Sequence, residues 1–385
     1  MIILTGPTVY TENEKLTKTS VVIEENKIHA ILNQDQAIKQ FPSAEKMDFP
    51  EAYHMIPGFI DMHIHGAHGK DVMDANDEAL HVISQTLAKE GTTAFLATTM
   101  TAEKQAIENA LIHVRNHMQH PSVGAEILGA HLEGPFISKE KTGAQSVQYI
   151  IPPNVADLQY WQAISENAIK LVTLAPEIEH SEKLIHYLKQ QQIIAAMGHS
   201  NATYQQAMSA ITAGCSYATH LFNAMRGIHQ REPGIITAAL MSEKMNVELI
   251  ADGVHVHPAL IDLVYKIKGK DKIILITDAM RAKCLCDGRY DLGGQTVEVK
   301  NAIPRLVDGT LAGSVLTMST ALKNILAFSG CDLTDAITMT SVNPAKALGV
   351  FTRKGSIAER KDADLVILNE AMQVVMTICG GKIFR

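Results

Sequence analysis

The amino-acid sequence predicts an α/β protein: a (β/α)₈ barrel of the TIM type, with a small sheet formed by the N- and C-terminal segments. Two observations support this prediction. Eight short apolar runs follow one another in the middle of the chain, and most are separated by helix-length segments whose apolar residues recur every three or four positions. This alternation is typical of parallel βα units. Both ends of the chain instead alternate short β-branched runs with polar turns, as antiparallel strands do.

The predicted small domain comprises residues 1–56 and 355–385, and the predicted barrel comprises residues 57–354. Strand-like runs near both ends of the chain suit a sheet that the two termini close together. The clearest of these runs are 20–23, 27–31, 364–368 and 374–377.

The eight apolar runs are the predicted barrel strands, because parallel strands buried on both faces have nearly continuous apolar sequences. They span residues 58–65, 92–99, 127–133, 171–176, 193–199, 217–222, 247–252 and 273–278. The helix predicted after the first run has its apolar stripe at Leu80, Ile83 and Leu87, and it ends near Gly91. An open doubly wound sheet is the alternative, but the chain has no GxGxxG turn after its first strand and no GxxxxGK[ST] motif.

The composition argues against several kinds of partner. Hydrophobic residues make up 46% of the chain and charged residues 19%, the balance of a chain that buries a sizeable core. Lys and Arg number 34 against 41 Asp and Glu, which gives a net charge of −7. Because no basic block is present either, nucleic acid is not expected as a partner.

The location expected from the sequence is the cytoplasm. No apolar run approaches the roughly 20 residues of a membrane helix, so no membrane contact is expected. The N-terminus lacks the basic segment and the cleavage site of a signal peptide. The five cysteines include no CxxC pair, which favours a reducing compartment over a disulfide framework.

Two histidines stand near the end of the first predicted strand, in the sequence PGFIDMHIHG. His63 and His65 are two residues apart, and a strand directs such side chains to the same side. An imidazole inside a strand that is buried on both faces is costly unless it is hydrogen-bonded or bound to a metal. An HxH pattern alone is a weak signal, but its position at the C-terminal end of a barrel strand favours a functional site.

Four more polar side chains stand at the ends of other apolar runs, at the end of the barrel where active sites lie. They are Glu133 in the third run, His199 in the fifth, His220 in the sixth and Asp278 in the eighth. Imidazole and carboxylate ligands without thiolate select a borderline divalent ion such as Zn²⁺, Fe²⁺, Mn²⁺ or Co²⁺. With His63 and His65, these residues predict a centre of one or two metal ions. His131 lies one layer deeper in its strand and is interpreted as structural.

Further motifs extend along almost the whole chain. They include GAHLEGPFIS, MGHSNATY, THLFNAM, REPG, IADGVHVHP, ITDAM and SVNPAKALG. With PGFIDMHIHG, these motifs resemble the metal-dependent amidohydrolase superfamily, and within it the N-acetylglucosamine-6-phosphate deacetylase family. HxH is common to the superfamily, whereas HLEGPF together with HLFNAM and REPG is specific to these deacetylases. The resemblance implies a (β/α)₈ barrel with a small β-sandwich domain formed by the N- and C-terminal segments. It further implies hydrolysis of the acetamide of N-acetylglucosamine 6-phosphate to glucosamine 6-phosphate and acetate, in amino-sugar catabolism or cell-wall sugar recycling.

The resemblance also implies roles for the candidate metal ligands, which are His63, His65, Glu133, His199, His220 and Asp278. Glu133, His199 and His220 resemble the core ligands of one ion. His63 and His65 imply a second ion that shares Glu133 with the first. Asp278 corresponds to the catalytic aspartate, which takes a proton as water attacks the acetyl carbon and gives it to the departing amine.

For the phosphorylated N-acetyl amino sugar, the resemblance implies contacts with Gln145, Asn223, Ala224, Arg231 and His255. Asn223, the backbone of Ala224, Arg231 and His255 would bind the phosphate, for which the planar fork of arginine is well suited. Gln145 stands where some relatives have a histidine that polarises the substrate carbonyl. Its neutral amide can donate a hydrogen bond but carries no charge. Family members form homodimers that complete the phosphate pocket across the subunit interface, so a homodimer is expected.

Two other functions remain open at this point. The first is another amidohydrolase activity, such as that of a cyclic-amide hydrolase or a deaminase. Cyclic-amide members often bridge their metals with a carbamylated lysine, whereas the corresponding position here is Glu133. The second is a catalytically silent barrel that acts as an interaction scaffold, which would be free to lose its ligands. This chain keeps every ligand type.

Overall fold

The computed structural model describes residues 1–385, and the first seven strands of the chain lie outside the barrel. These strands are β1 (Ile2–Thr5), β2 (Thr8–Tyr10), β3 (Lys15–Leu16), β4 (Thr19–Glu24), β5 (Lys27–Asn33), β6 (Glu45–Asp48) and β7 (His54–Pro57). Strand β8 (Phe59–Ile64) follows β7 after one residue, and the short antiparallel pair β9 (Gly66–Ala67) and β10 (Lys70–Asp71) comes next.

Eight parallel strands form the barrel in the order in which they occur in the chain, which confirms the predicted (β/α)₈ fold. After β8, they are β11 (Thr92–Thr98), β12 (Glu126–Glu133), β13 (Ile169–Leu174), β14 (Ile194–Met197), β15 (Tyr217–Ala218), β16 (Asn246–Ile250) and β17 (Ile273–Ile276). Several strands end before the predicted apolar runs end, so the polar residues that close those runs stand in the loops beyond. Backbone hydrogen bonds join the last strand to the first at the C-terminal mouth of the barrel: the N–H of Asp278 donates to the carbonyl of His63 at 2.9 Å.

Eleven α-helices surround the sheets, and most connect successive barrel strands. They are α1 (Gln34–Gln40), α2 (Asp77–Lys89), α3 (Lys104–Gln119), α4 (Val155–Ile164), α5 (Ser181–Gln190), α6 (Tyr204–Ala213), α7 (Gly234–Met241), α8 (Pro258–Lys268), α9 (Met318–Phe328), α10 (Leu333–Ile337) and α11 (Asn343–Ala347). Helix α2 begins where the side chain of Asn76 accepts from the backbone N–H of Ala79, and its predicted stripe of Leu80, Ile83 and Leu87 is buried in the core. None of the helices combines the length and the apolar character needed to cross a membrane.

A three-stranded antiparallel sheet between β17 and α9 is absent from the predicted elements. Its strands are β18 (Gly288–Leu292), β19 (Gln295–Lys300) and β20 (Ile303–Leu306). Leu292 and Val297 pack against Met100 and Met280 in a small apolar cluster at the barrel mouth. The side chain of Gln295 donates to the carbonyl of Ala144 at 2.6 Å, so this sheet is anchored to the loop that follows β12.

Both ends of the chain build the small β-sandwich, as predicted. Its last strands are β21 (Leu365–Leu368), β22 (Val374–Cys379) and β23 (Lys382–Phe384). One sheet has the order β5-β4-β1-β6 and the other β23-β22-β21-β7-β2-β3. Leu4 and Val21 from the first sheet pack against Leu365 and Ile367 from the second in a core that is separate from the barrel core. We propose residues 1–56 with 355–385, and residues 57–354, as the domain limits.

A buried lysine joins the barrel to the sandwich. The ammonium group of Lys354 lies 2.8 Å from a carboxylate oxygen of Glu126, at the start of β12, and 3.1 Å from one of Asp362. It also pairs with the buried Asp364, just before β21. Burial opposes charge on Lys354, but Asp364 and Glu126 outweigh that effect and raise its pKa. Glu126 and Asp362 also pair with Arg353, whereas Asp364 has no cationic partner other than Lys354.

Lys354→Met is expected to lower the free energy of unfolding by about 3 kcal/mol, because it leaves Asp364 buried without its cation. Denaturant titration followed by circular dichroism measures this change. Lys382→Met is the control: Lys382 is exposed on β23, and its replacement should change the stability by no more than about 0.5 kcal/mol. Equal unfolding midpoints for the two variants would show that the buried ion pairs contribute little.

Candidate active site

The six predicted metal-site residues come together at the C-terminal mouth of the barrel. Five barrel strands, or the loops directly after them, supply these residues, and β8 with the residue after it supplies two of them. They are His63 in β8, His65 directly after it, Glu133 at the end of β12, and His199, His220 and Asp278, each two residues beyond β14, β15 and β17. The first five are buried, and the Asp278 side chain is 13% exposed. The predicted convergence is therefore present in the fold.

The carboxylate of Glu133 lies between two groups of imidazoles. On one side, its Oε1 atom is 3.1 Å from Nε2 of His220 and 3.2 Å from Nε2 of His199. These two nitrogens are only 3.0 Å apart. On the other side, Oε2 of Glu133 is 3.3 Å from Nε2 of His65, and Oε1 is 3.4 Å from Nε2 of His63. The Glu133 carboxylate thus has two imidazole nitrogens on each side, and these can serve as metal ligands.

Asp278 completes the second group. Its Oδ1 atom lies 3.3 Å from Nε2 of His65 and 3.4 Å from Nε2 of His63. The aspartate also lines the cavity described below.

The hydrogen bonds at the outer ring nitrogens fix how these imidazoles are protonated. Nδ1 of His199 lies 3.0 Å from the carbonyl of Lys141, and Nδ1 of His65 lies 3.3 Å from that of Thr98. A carbonyl oxygen only accepts, so each Nδ1 carries a proton and, in the neutral ring, each Nε2 presents a lone pair to Glu133. This is the arrangement that metal-binding histidines adopt.

The charges at the site also favour a cation. Burial alone would lower the pKa of His63 and raise that of Glu133, but the two groups and Asp278 stabilise one another's charges. As a result, the pKa of His63 lies well above its usual value and that of Glu133 well below. Burial likewise opposes charge on His65, yet hydrogen bonds with Asp278 and Glu133 raise its pKa to about 9. Without a metal, protons on the imidazoles balance the carboxylates; a divalent ion would displace them.

The donor set fits a borderline divalent ion. Glu133, His199 and His220 are close enough to hold one ion, and His63, His65 and Glu133 are close enough to hold another. The Nε2 atoms of His199 and His220 are 3.0 Å apart, and both lie beside Oε1 of Glu133. A bound ion would be coordinated by these three atoms. Nε2 of His63 is buried and makes no hydrogen bond. These observations support the predicted ligand chemistry.

A cavity of about 190 Å³ opens beside this centre. Nine predicted site residues line it: His65, Glu133, Gln145, His199, His220, Asn223, Ala224, His255 and Asp278. The amide of Gln145 donates to Oε2 of Glu133 at 2.6 Å and accepts from the backbone N–H of Thr101 at 2.7 Å. Gln145 is therefore held against the carboxylate at the centre of the site.

The wall of the cavity also carries hydrogen-bond donors. The backbone N–H of Ala224 makes no hydrogen bond within the protein. His255 is held by a 2.6 Å contact between its Nδ1 atom and Asp252, so its Nε2 atom is oriented by that pair. Asn223 is tied by its amide to the carbonyl of His220 at 3.2 Å. Arg231 is the exception among the predicted substrate-binding residues: it is exposed and does not line the cavity.

Several residues of the cavity were not predicted. They come from loops and from the three-stranded sheet, and comprise Met100, Gly143, Ala144, Leu292, Thr310, Leu311 and Gly313. Leu292 is the last residue of β18, and Thr310 and Leu311 follow β20. The unpredicted sheet thus forms one wall of the site. His131, interpreted from the sequence as structural, lies below the centre, where its Nε2 atom bonds to the hydroxyl of Thr173 at 2.7 Å.

Three candidate ligands have an uncommon backbone conformation. His199, His220 and Asp278 have φ angles of 46°, 31° and 48°, in the left-handed region that residues other than glycine seldom adopt. Such a conformation costs on the order of 1–3 kcal/mol per residue and persists where the surrounding structure enforces it, often at functional sites. Each of these residues follows the end of a barrel strand, so a sharp change of chain direction there turns the side chain into the mouth.

Comparison with known proteins agrees with the geometry. A model of the amidohydrolase family matches residues 54–384. The N-acetylglucosamine-6-phosphate deacetylase of Bacillus subtilis (strain 168) is 44% identical over 378 residues, which cover 97% of this chain and 95% of that protein. The crystal structure of N-acetylglucosamine-6-phosphate deacetylase from Pasteurella multocida superimposes with a TM-score of 0.93 at 31% identity, covering 99% of both chains.

A second solved structure holds a ligand. It is a mutant of N-acetyl-D-glucosamine-6-phosphate deacetylase from Mycobacterium smegmatis in complex with N-acetyl-D-glucosamine-6-phosphate, with a TM-score of 0.92 at 31% identity, covering 99% of this chain and 98% of that one. The match of the family model over most of the chain and the high identity to a curated relative confirm the resemblance read from the motifs. The chain belongs to the amidohydrolase family.

Proposed function

We propose that this chain is a divalent-metal-dependent deacetylase that hydrolyses N-acetylglucosamine 6-phosphate to glucosamine 6-phosphate and acetate. The observation that carries the proposal is the convergence of Glu133, His199, His220 and Asp278 on one cavity whose wall also presents hydrogen-bond donors. The relatives described above carry the same activity in their names. The retention of a complete donor set favours this function over a catalytically silent scaffold.

Glu133, His199 and His220 would hold one ion, and His63 and His65 would hold a second that shares Glu133 and contacts Asp278. The donor set suits Zn²⁺, Fe²⁺, Mn²⁺ or Co²⁺. When bound, such an ion supplies Lewis-acid polarisation of the amide carbonyl and lowers the pKa of water toward about 7.

Asp278 is the proposed proton carrier. Burial would raise the pKa of this carboxyl, but the attraction of His63 and the hydrogen bond of His65 lower it to about 2. The carboxylate is therefore ionised at neutral pH and can accept the proton of the attacking water. It then donates that proton to the amine nitrogen as the C–N bond breaks, so that acetate and the free amino sugar leave. The Gln145 amide already donates to Glu133 and to a methionine sulfur, so it must release one of these bonds before it can donate to the negative charge that develops on the acetyl oxygen.

The phosphate group of the substrate is assigned to donors in the wall of the cavity. The free N–H of Ala224 and the oriented ring of His255 can donate there, beside Asn223, whose amide donates to backbone carbonyls. Because Arg231 is exposed and outside the cavity of its own chain, we assign it to the cavity of a second copy. Leu260, Leu263 and Ile267 form an exposed apolar stripe on α8 and support association into a homodimer.

The reaction is placed in the cytoplasm, in the catabolism or recycling of amino sugars. All five cysteines are free thiols, which suits a reducing compartment.

The phosphate assignment is tested by comparing N-acetylglucosamine 6-phosphate with N-acetylglucosamine. The phosphorylated sugar should have a kcat/KM at least about 100-fold higher, since each hydrogen bond to a charged group contributes about 1.5–3 kcal/mol. Initial rates of acetate release measure both values. Equal cleavage of the two sugars would contradict the substrate assignment.

The Arg231→Ala variant tests one proposed contact with the phosphate. This variant should raise KM for the phosphorylated sugar alone and leave the metal content unchanged, because it removes a contact to the phosphate only. Arg360→Ala, which removes an exposed arginine of the small domain, is the matched control and should behave like the unaltered protein. An unchanged KM for Arg231→Ala would remove this residue from the pocket.

A further inference from the structure

A buried carboxylate lies beneath the proposed metal centre. Glu248 is in the middle of β16, whose sequence is NVELI, and it is the only charged residue of that strand. Its side chain is fully buried. A carboxylate inside a barrel loses its hydration, which is unfavourable unless nearby donors or positive charge compensate. The proposed function assigns no role to Glu248, so its presence there calls for one.

The contacts of Glu248 go to two candidate ligands. Its Oε2 atom lies 3.1 Å from Nδ1 of His63, and the same oxygen accepts from the backbone N–H of His220 at 3.3 Å. Oε1 of Glu248 has no hydrogen-bond partner. A side chain selected only to fill space in this strand would be apolar, as its neighbours Val247 and Leu249 are. The contacts instead point toward the centre.

The orientation of His63 depends on this contact. A carboxylate oxygen accepts hydrogen bonds, so the contact with Glu248 keeps a proton on Nδ1 of His63. In the neutral ring, Nε2 then presents its lone pair toward Glu133 and Asp278, from which it is 3.4 Å away. His131, whose ring centroid is 4.5 Å from that of His63, makes its only hydrogen bond to Thr173 and so does not fix the His63 ring.

We infer that Glu248 is a positioning residue of the metal centre: it acts through His63, fixing the tautomer and direction of that imidazole and increasing its strength as a ligand. The inference rests on the proposed metal centre and extends it by one residue. A carboxylate behind a metal-bound histidine raises the basicity of the ring, and loss of such a partner typically weakens metal affinity by about 10–100-fold. The second bond, to the N–H of His220, ties the same carboxylate to the loop of another ligand.

The inference is tested by titrating the metal-free protein with Co²⁺ and following the visible absorbance of the bound ion. Glu248→Gln keeps the size and an acceptor oxygen but removes the charge, and it should raise the Kd for Co²⁺ by about 10-fold or more. Glu248→Ala should raise it toward about 100-fold. Lys354→Met is the control for a general loss of stability, and its Kd for Co²⁺ should match that of the unaltered protein.

A double-mutant cycle with His63→Ala separates a positioning role from a merely structural one. Because Glu248 acts through His63, adding Glu248→Gln to His63→Ala should change the Kd by no more than about twofold, which means that the two effects are not additive. Additive losses, or an unchanged Kd in Glu248→Gln alone, would overturn the inference and leave the proposed function intact. If the unaltered protein binds no Co²⁺, the metal centre itself is wrong and the inference is overturned with it. Glu248→Gln decides the result even if Glu248→Ala does not fold.

Discussion

Replacing Asp278 by asparagine is expected to lower kcat by about 10⁴-fold, the upper end of the contribution of general acid–base catalysis. Asparagine has nearly the same shape, so it can keep the position of Asp278 beside His63 and His65. Its amide cannot accept and return a proton at neutral pH. The loss should therefore fall on turnover, with a smaller change in KM.

Metal analysis must accompany the rates for Asp278→Asn. Because Glu133, His199 and His220 are untouched, at least the ion that they hold should remain bound. Asp271→Asn is the matched control, since Asp271 is exposed and lies at the opposite end of the same strand, ahead of β17. Turnover close to that of the control would rule out Asp278 as the proton carrier.

His199→Ala is expected to abolish activity and the binding of the ion that Glu133, His199 and His220 hold. Nε2 of His199 is 3.0 Å from that of His220 and 3.2 Å from Oε1 of Glu133, so its removal takes one of three donors from the first ion. Removing a residue that binds the metal directly should weaken metal affinity by more than the roughly 100-fold that is lost when a hydrogen-bond partner of a ligand is removed. Inductively coupled plasma mass spectrometry of the purified protein gives the metal content, and acetate release gives the activity.

The control for His199→Ala is His186→Ala, because His186 is exposed on α5 and pairs only with Glu182. That variant should keep both metal and activity. Excess metal should restore some turnover to His199→Ala if the remaining donors still form a weak site. Full metal content in His199→Ala would show that His199 is not a ligand.

The barrel and most of its centre could be predicted from the sequence because burial on both faces makes the parallel strands uniformly apolar. A charged or imidazole residue within such a run is then visible, as at Glu133 and His63. The convergence of these residues could be predicted as well, because the strands of a (β/α)₈ barrel all point the same way and their C-terminal ends lie together. This is how residues as distant in the chain as His65 and Asp278 were expected to meet.

Other parts of the site could not be predicted in this way. The three-stranded sheet has short strands that alternate exposed and buried residues outside the βα pattern, so the wall formed by Leu292 was missed. Glu248 gave the same signal as Glu133, a carboxylate in an apolar run, but it stands near the start of its run, away from the C-terminal end where barrel active sites lie. The exposed position of Arg231 depends on the path of a loop, which hydrophobic periodicity does not determine.

The pairing of β7 with β21 has a consequence for the synthesis of the protein. Ile56 pairs with Val366, roughly 300 residues later in the chain, so the six-stranded sheet cannot close until translation is nearly complete. At about 5–20 residues per second, the nascent N-terminal strands wait on the order of 15–60 s for their partners. During that time their apolar faces are exposed and prone to misassociation. We therefore expect a chaperone to bind the N-terminal segment while the barrel is being synthesised.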